Sequence, residues 1–305
     1  MKHDYLWDRS GPPDAEVKRL EELLGALRAT EQPAPRQGRG YWRQALAASL
    51  LAAAAVSQIL LTSPPASSWQ MAGEELHTGQ VVRSSASALR MEADAVGRIE
   101  LEPNSELAIA ESRPGRQRLD LRRGTLHALI WAPAREFVVD TPSARAIDLG
   151  CQYTLTVNPG GDGQLKVLTG WVAFQHRGLE SFIPAGAACR TRRLAGPGTP
   201  YFEDAPAGLV AALAEYDARR TPAALEAVLQ AARPRDAITL WHLLSRASGS
   251  GRAEVFRAFS RLVRVPAEVT EARIARPDAA ALDLCWNALG LDSAEWYRTW
   301  QRPWK

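Results

Sequence analysis

A long segment without charge constrains this chain more than any other feature. No charged residue lies between Arg43 and Glu74, and residues 45–61 read ALAASLLAAAAVSQILL. As a helix, this run would extend about 25 Å, close to the ~30 Å hydrocarbon core of a bilayer. The run predicts one membrane-spanning helix over residues 44–63. A buried core helix and a cleaved signal segment are the two alternatives that the same run allows.

The residues on either side of this run predict its orientation. Arg36, Arg39 and Arg43 precede it, whereas the first basic residue after it is Arg83. Because positive charge is retained on the cytoplasmic side, this asymmetry places the N-terminus in the cytoplasm and the C-terminal bulk in the periplasm. Trp69 lies where aromatic residues favour the membrane interface. We therefore expect a single-pass protein of the inner membrane.

The sequence of residues 1–43 predicts a short amphipathic helix followed by a linker rich in Pro, Gly and Gln. Apolar residues recur at helical spacing after Pro13, so one apolar stripe is predicted. A helix this short is marginal alone in water, and its stripe must bury against something. A protein partner is the predicted occupant, and the membrane surface or a second copy of the helix is the alternative. The predicted partner-binding residues are Trp7, Val17, Leu20, Leu24 and Leu27.

From residue 73 to residue 193 the pattern changes from helical to alternating. Residues 98–102 and 118–122 alternate between polar and apolar with a period of two, and Gly- or Pro-containing turn signals, Gly124 among them, separate the apolar runs. Many short strands with no helix between them predict an antiparallel all-β domain.

Four segments of this region resemble the FecR-domain family, the periplasmic β domain of inner-membrane regulators of sigma factors. The resemblance covers roughly residues 79–190. The segments are RLDLRRGTL at residues 118–126, FVVDTP at 137–142, LGCQYTLTV at 149–157, and VLTGWVAF at 167–174 followed by PAG at 184–186.

The resemblance implies a regulatory protein. Its β domain would sense a partner or a state of the envelope, and its cytoplasmic segment would contact a sigma factor or a related regulator. The alternative is a non-regulatory envelope scaffold whose β domain binds proteins or glycans.

Residues 194–207 are rich in Pro and Gly and are predicted to be a linker between the β and α regions. The residues that follow, 207–305, return to helical periodicity. Thr221-Pro222, Asp236 and Asp278 are predicted helix starts, and residues 249–251 are a predicted break. The pattern indicates a small α-helical bundle. The predicted fold class is therefore mainly β, with an N-terminal cytoplasmic helix, one transmembrane helix, an antiparallel all-β FecR-like domain and a C-terminal α-helical bundle.

The sequence contains no recognisable catalytic motif. The five His are scattered without metal-ligand spacing, and no Gly-rich loop precedes a helix, so we expect no enzyme, no metal and no cofactor. The 37 Lys and Arg nearly balance the 34 Asp and Glu, which argues against direct binding of nucleic acid. The expected partners are proteins, a sigma factor on one side and an envelope protein on the other.

The three cysteines are Cys151, Cys189 and Cys285. If the β domain is periplasmic, two thiols within one fold are expected to close in that oxidising compartment. The sequence therefore suggests a Cys151–Cys189 disulfide, with Cys285 as a small buried apolar residue. Three buried free thiols are the alternative.

Overall fold

The structure is a computed structural model that describes residue 19, residues 68–276 and residues 278–291. Within these residues the chain forms sixteen strands, six α-helices and one 3-10 helix. The strands are β1 (Gln70–Met71), β2 (Glu74–Glu75), β3 (Val81–Arg83), β4 (Leu89–Ala93), β5 (Gly97–Leu101), β6 (Glu106–Arg113), β7 (Arg116–Ile130), β8 (Phe137–Asp140), β9 (Arg145–Asp148), β10 (Gln152–Val157), β11 (Gly163–Thr169), β12 (Trp171–His176), β13 (Leu179–Pro184), β14 (Ala187–Arg192), β15 (Gly196–Pro197) and β16 (Tyr201–Phe202). The α-helices are α1 (Ala207–Arg219), α2 (Pro222–Ala231), α3 (Ala237–Arg246), α4 (Gly249–Leu262), α5 (Glu271–Ile274) and α6 (Ala279–Ala288), and the 3-10 helix is Pro234–Asp236.

Two sheets share the long strand β7. One sheet has the order β2-β1-β4-β5-β7-β10-β11-β14, with both β15 and β16 paired to β14. The other has the order β3-β6-β7-β8-β9-β12-β13. The first half of β7 pairs with β6 and β8, and its second half pairs with β5 and β10. The alternating burial of β5 and β10 places apolar side chains in one core that both sheets line.

Gly124 is the point at which β7 crosses from one sheet to the other. Its φ of +93° suits glycine, and a Cβ added there would overlap Ser105. The Ser105 hydroxyl accepts a hydrogen bond of 3.0 Å from the N–H of Thr125, which ties the bend to the neighbouring chain. The sequence pattern predicted a turn at Gly124, and that prediction is wrong, because the strand continues through a bend.

The bend also explains the parallel pairing of β7 with β8. Gln117, at the start of β7, pairs with Phe137, although only residues 131–136 connect the end of β7 to β8. That connection can reach roughly 25 Å, whereas fifteen residues of straight strand extend roughly 50 Å. Because β7 bends, its two ends approach each other and the short connection suffices. The expectation of a purely antiparallel domain is corrected by this one pair.

The helical region packs directly on the sheet. Trp286 of α6 contacts Trp241 of α3, Phe182 of β13 and Trp171 of β12, with ring centroids 4.7, 5.7 and 5.8 Å apart. Such aromatic groups bury large areas, so this cluster joins the two regions into one core. The strand-rich region and a C-terminal helical region are therefore both present, and their described residues belong to a single compact unit.

The segment between the strands and the helices is built into the sheet. β15 and β16 pair with β14, and Tyr201 and Phe202 are buried. The hydroxyl of Thr239 in α3 donates a hydrogen bond of 2.8 Å to the carbonyl of Pro200. Residues 196–202 therefore have packed neighbours on both sides, unlike a free linker.

The single-pass membrane arrangement is corrected. In the described part of the chain, no helix is long and apolar enough to cross a membrane. The longest, α4, has 14 residues and extends about 21 Å, short of the ~30 Å hydrocarbon core. The finding contradicts the transmembrane helix in the predicted fold class and the inner-membrane localisation. The segment 44–63 itself lies outside the described residues.

Trp69 provides a second correction. The sequence places it at a membrane interface, but the structure buries it completely, with its ring centroid 5.8 Å from that of Phe137. Trp69 is therefore a core residue of the β region.

Two of the predicted helix starts have the expected side-chain caps. Thr221 accepts a hydrogen bond from the N–H of Ala224, and Asp278 accepts one from the N–H of Ala281. The predicted break between helices is present, but it lies at residues 247–248, and α4 already begins at Gly249.

Candidate functional site at the junction of the sheet and the helices

Helix α3 completes the hydrogen bonding of β13, whose strand pairing in the structure is with β12. The N–H of Phe182 donates to Nε2 of His242 at 2.9 Å, and the carbonyl of Glu180 accepts from Nη2 of Arg246 at 3.2 Å. His242 and Arg246 are one helical turn apart on α3, so their side chains project on the same face. An edge strand that would otherwise be open is thus covered by two polar side chains.

His242 is held as a neutral imidazole. Its Nδ1 donates to the carbonyl of Ile238 at 2.8 Å, which leaves Nε2 as the acceptor for Phe182. Burial lowers the pKa of His242 to about 3, and the nearby charge of Arg246 acts in the same direction.

Arg246 is the most deeply buried charged group at this junction. Its side chain is 2% exposed, and it donates to the hydroxyls of Ser181 at 2.6 Å and Thr199 at 3.1 Å. Burial lowers the pKa of Arg246, and the carboxylate of Asp217, 3.9 Å away, counteracts this. Its Nε has no hydrogen-bond partner among the described residues.

Asp217 of α1 lies between two guanidinium groups. It accepts hydrogen bonds from the N–H and the hydroxyl of Thr199, at 2.6 and 2.8 Å, and Arg220 and Arg246 each approach it to 3.9 Å. Two cations therefore share the carboxylate of Asp217.

A cleft of about 470 Å³ opens beside these groups. Part of its wall comes from the beginning of α4, and three serine hydroxyls and one carboxylate line it in addition to the arginines. Its lining residues are Leu179, Tyr216, Arg220, Pro222, Leu225, Ser245, Arg246, Ser248, Ser250, Gly251 and Glu254.

A second buried polar cluster lies at the start of β10. The Asp148 carboxylate accepts hydrogen bonds from the thiol of Cys151 and from the N–H of Gly150. Burial raises the pKa of Asp148 to about 7, and these two donors only partly offset it. The hydroxyl of Tyr153 is buried nearby without a partner among the described residues. Burial raises the pKa of Tyr153, and the Asp148 charge adds to that effect.

The predicted disulfide is not formed. Cys151, Cys189 and Cys285 are all free and buried, and the Cys189 thiol donates to the carbonyl of Gly198 at 3.2 Å. Cys189 pairs with Leu165 on the neighbouring strand, and Leu165 pairs with Leu155 on the strand after that. Cys151 precedes Leu155 by four residues, so Cys151 and Cys189 lie two strands and four residues apart. Strand spacing and rise give a separation of roughly 16 Å, beyond the ~7 Å limit for a bridge.

The predicted partner-binding residues are not placed by the structure. Trp7, Val17, Leu20, Leu24 and Leu27 lie outside the described residues. Over the described ranges, no group of three or more His, Cys, Asp or Glu is arranged to hold a metal ion.

Sequence reasoning missed the junction residues. Asp217, His242 and Arg246 are polar residues in helical segments, and their partners lie up to 66 residues away in the chain. One local signal was present: His242 and Arg246 are four residues apart in α3, which is mostly apolar. Such polar positions on an apolar face indicate buried partners.

Comparison of the sequence with protein families and with characterised proteins finds no match. Among solved structures, two crystal structures of a proposed anti-sigma factor from Parabacteroides distasonis resemble part of the chain. Both are 14% identical to it and cover 44% of it, with TM-scores of 0.37 and 0.36. The chain spans 63% of the length of that protein, which is less than two thirds. Similarity at this level establishes neither a shared fold nor a shared function.

Proposed function

We propose that this chain is a regulatory protein that acts by binding protein partners, and that its residues 1–43 contact a sigma factor or a related regulator. In this proposal the β and helical regions bind one partner and receive its signal, and the apolar stripe that includes Leu20 and Leu24 contacts the sigma factor or related regulator. The observation that carries the proposal is the resemblance of four segments, in order, to a domain of sigma-factor regulators.

The positions of these segments in the fold support the proposal. Gly124 allows the bend in β7, and Gly170 has a φ of +73° at a place where a Cβ would overlap the carbonyl of Gly150. The Thr141 hydroxyl accepts from the N–H of Ala144 at 3.0 Å and closes the turn between β8 and β9. The resemblance thus includes positions where backbone geometry restricts the residue, rather than surface residues alone.

The junction supplies a way to transmit a binding event. The hydrogen bonds from His242 and Arg246 to β13 connect the helical region to the sheet through polar groups of defined geometry. A partner that shifts α3 must break or rearrange these bonds, so the two regions respond together.

The test is a binding measurement between the purified full chain and the sigma factor encoded nearest to it. The Leu20→Asp, Leu24→Asp double variant is expected to weaken binding at least about tenfold, because two charges enter the apolar stripe. The matched control is Arg19→Asp with Ala26→Asp on the opposite side of the predicted helix; Arg19 is exposed. This control should change the affinity less than about threefold.

The proposal fails if the full chain does not bind that sigma factor, or if both double variants weaken binding equally. The free energy of unfolding in urea should be the same for all variants as for the parent chain, because the substitutions lie outside residues 68–291.

A further inference from the structure

Three large apolar side chains are exposed on the outer face of one sheet. Leu129 near the end of β7 is 41% exposed, Trp131 just after β7 is 52% exposed, and Leu168 of β11 is 64% exposed. Leu129 and Leu168 follow buried neighbours in their strands, so their side chains point away from the core. Trp131 comes two residues after Leu129 and lies on the same face, where its Nε1 donates to the carbonyl of Asp94 at 2.9 Å.

The strand pairing places these side chains close together. Gln152 of β10 pairs with Leu129 on one side and with Thr169, the residue after Leu168, on the other. Leu129 and Leu168 are therefore separated by two strand spacings, roughly 10 Å. We refer to Leu129, Trp131 and Leu168 as the outer apolar patch.

The patch differs from the rest of this sheet face, which is polar. Arg98 of β5 and Glu92 of β4 form an exposed ion pair at 2.7 Å, and His127 of β7 shares a hydrogen bond with Thr154 of β10. In the described part of the chain, the one other exposed large apolar side chain is Leu194. Because single exposed apolar residues are ordinary but clustered ones mark contact surfaces, the patch indicates a contact.

The described part of the chain ends near this patch. Trp286 of α6 contacts Trp171 of β12 with ring centroids 5.8 Å apart, and Trp171 follows Leu168 by only three residues. Three residues extend at most about 11 Å, so α6 contacts the chain close to the end of β11. Leu291 is the last described residue, and 14 residues, 292–305, follow it.

These 14 residues are rich in tryptophan. They contain Trp296, Trp300 and Trp304, three of the ten tryptophans of the chain. At a spacing of four, the three indoles would form one apolar stripe on a helix. Fourteen residues extend about 21 Å as a helix and about 48 Å as an extended chain, so either form can reach from α6 to Leu168.

The size of the patch favours a segment of the same chain over a second copy. A whole aromatic side chain buries about 150–250 Å², so three partly exposed apolar side chains offer on the order of 300 Å². A stable dimer buries about 800 Å² on each partner. A segment that is already tethered to the domain can bind through a smaller area, because the tether gives it a high effective concentration.

We propose that residues 292–305 pack on the outer apolar patch through the stripe of Trp296, Trp300 and Trp304. The segment covers Leu129, Trp131 and Leu168, and its release exposes both apolar surfaces together. The contact is independent of the proposed sigma-factor contact, which involves residues 1–43.

The first experiment measures trypsin cleavage after Arg298 in the purified full chain by mass spectrometry of timed digests. The Leu129→Ser, Leu168→Ser double variant should be cleaved at least about fivefold faster than the parent, because cleavage follows the population of the released segment. Both positions are exposed, so the urea midpoint of the double variant should stay near that of the parent.

Leu194→Ser is the matched control, because Leu194 is 87% exposed and lies outside the patch. Gly163, the first residue of β11, pairs with Thr191, so Leu194 lies beyond the opposite end of β11 from Leu168. This control should change the rate of cleavage after Arg298 by less than about twofold.

The second experiment tests the contact directly. Leu168→Cys combined with Trp300→Cys should form a disulfide within one chain when the full protein is oxidised with diamide, since the two sites lie together. Leu194→Cys combined with Trp300→Cys should remain reduced. The native thiols are buried, and peptide mapping identifies the bridge that forms.

Three results would overturn the proposal. Cleavage of the parent after Arg298 at the rate of the double variant shows that the patch does not hold the segment. Equal disulfide formation from positions 168 and 194 shows that the segment has no preferred position. A dimer in light scattering that the Leu129→Ser, Leu168→Ser variant dissociates assigns the patch to a second copy of the chain.

Discussion

Nε2 of His242 lies 2.9 Å from the backbone nitrogen of Phe182 and accepts its hydrogen bond, so a helix side chain takes the place of a strand neighbour. The two residues are separated by 60 positions in the chain. This contact, with that of Arg246 one turn later, ties the helical region to the edge of the sheet. It also makes the junction sensitive to acid, because an imidazolium has no lone pair to accept the bond.

The first prediction follows from His242. Its folded-state pKa of about 3 lies below the ordinary value of 6.5, so its contribution to stability is complete above pH 6.5 and is lost as the pH falls towards 3. Near pH 5 the loss is about 2 kcal/mol. His242→Gln keeps an acceptor oxygen near the position of Nε2 but does not titrate. Urea unfolding at pH 7.5 and pH 5 should show a smaller loss for the variant, and identical losses would contradict the assignment.

The second prediction concerns Asp148 and has the opposite sign. Its folded-state pKa of about 7 lies above the ordinary value of 3.8. The contribution of Asp148 to stability is therefore complete below pH 3.8 and is lost as the pH rises through 7. Because the side chain is buried, the loss has an upper limit of about 4 kcal/mol. Asp148→Asn removes this titration and should become more stable than the parent protein as the pH rises from 5 to 8.

The control for this measurement is Asp94→Asn at an exposed position. Its unfolding free energy at one pH should differ from that of the parent by less than about 0.5 kcal/mol, because the site is exposed. If the difference in unfolding free energy between Asp148→Asn and the parent protein does not change with pH, the Asp148 carboxyl group does not titrate in this range.

The third prediction concerns the bend of β7. Gly124→Ala combines an unfavourable positive φ with overlap on Ser105 and should destabilise the fold by about 4 kcal/mol. Gly178→Ala is the matched control, because it has a similar φ of +82° but no atom within 4 Å of the added Cβ. It should cost about 1 kcal/mol. Equal losses in chemical denaturation would show that the contact with Ser105 does not restrict residue 124.

The strands themselves could be predicted from the sequence because their signal is local. The alternation at residues 98–102 corresponds to β5, whose side chains alternate between buried and exposed along Gly97–Leu101. Gly124 shows the limit of that reasoning, because a glycine between two alternating runs is equally consistent with a turn and with a bend in one strand. The distinction depends on Ser105, which is not a local neighbour in the sequence.

The site could not be predicted for a related reason. From local sequence alone, a polar residue within a helical segment is predicted to be exposed, and this applies to Asp217, His242 and Arg246. Their burial depends on β13 and on the segment around Thr199, which the sequence indicated to be a linker. Hydrogen bonds across such distances leave no periodic pattern.

The final prediction tests that segment through Asp217. Asp217→Ala removes the acceptor for both hydrogen bonds from Thr199 and leaves the buried Arg246 without its carboxylate. Because an uncompensated buried charge is costly, we expect a loss of about 3–5 kcal/mol. Residues 196–206 should also become sensitive to protease, whereas the parent protein resists cleavage there. Glu215→Ala on the same helix removes only the exposed pair with Arg219, and it should cost less than about 1 kcal/mol. Mass spectrometry of timed digests, with urea unfolding, measures both effects. Cleavage of the parent protein within residues 196–206 at the rate of the Asp217→Ala variant would show that Thr199 does not hold this segment in place.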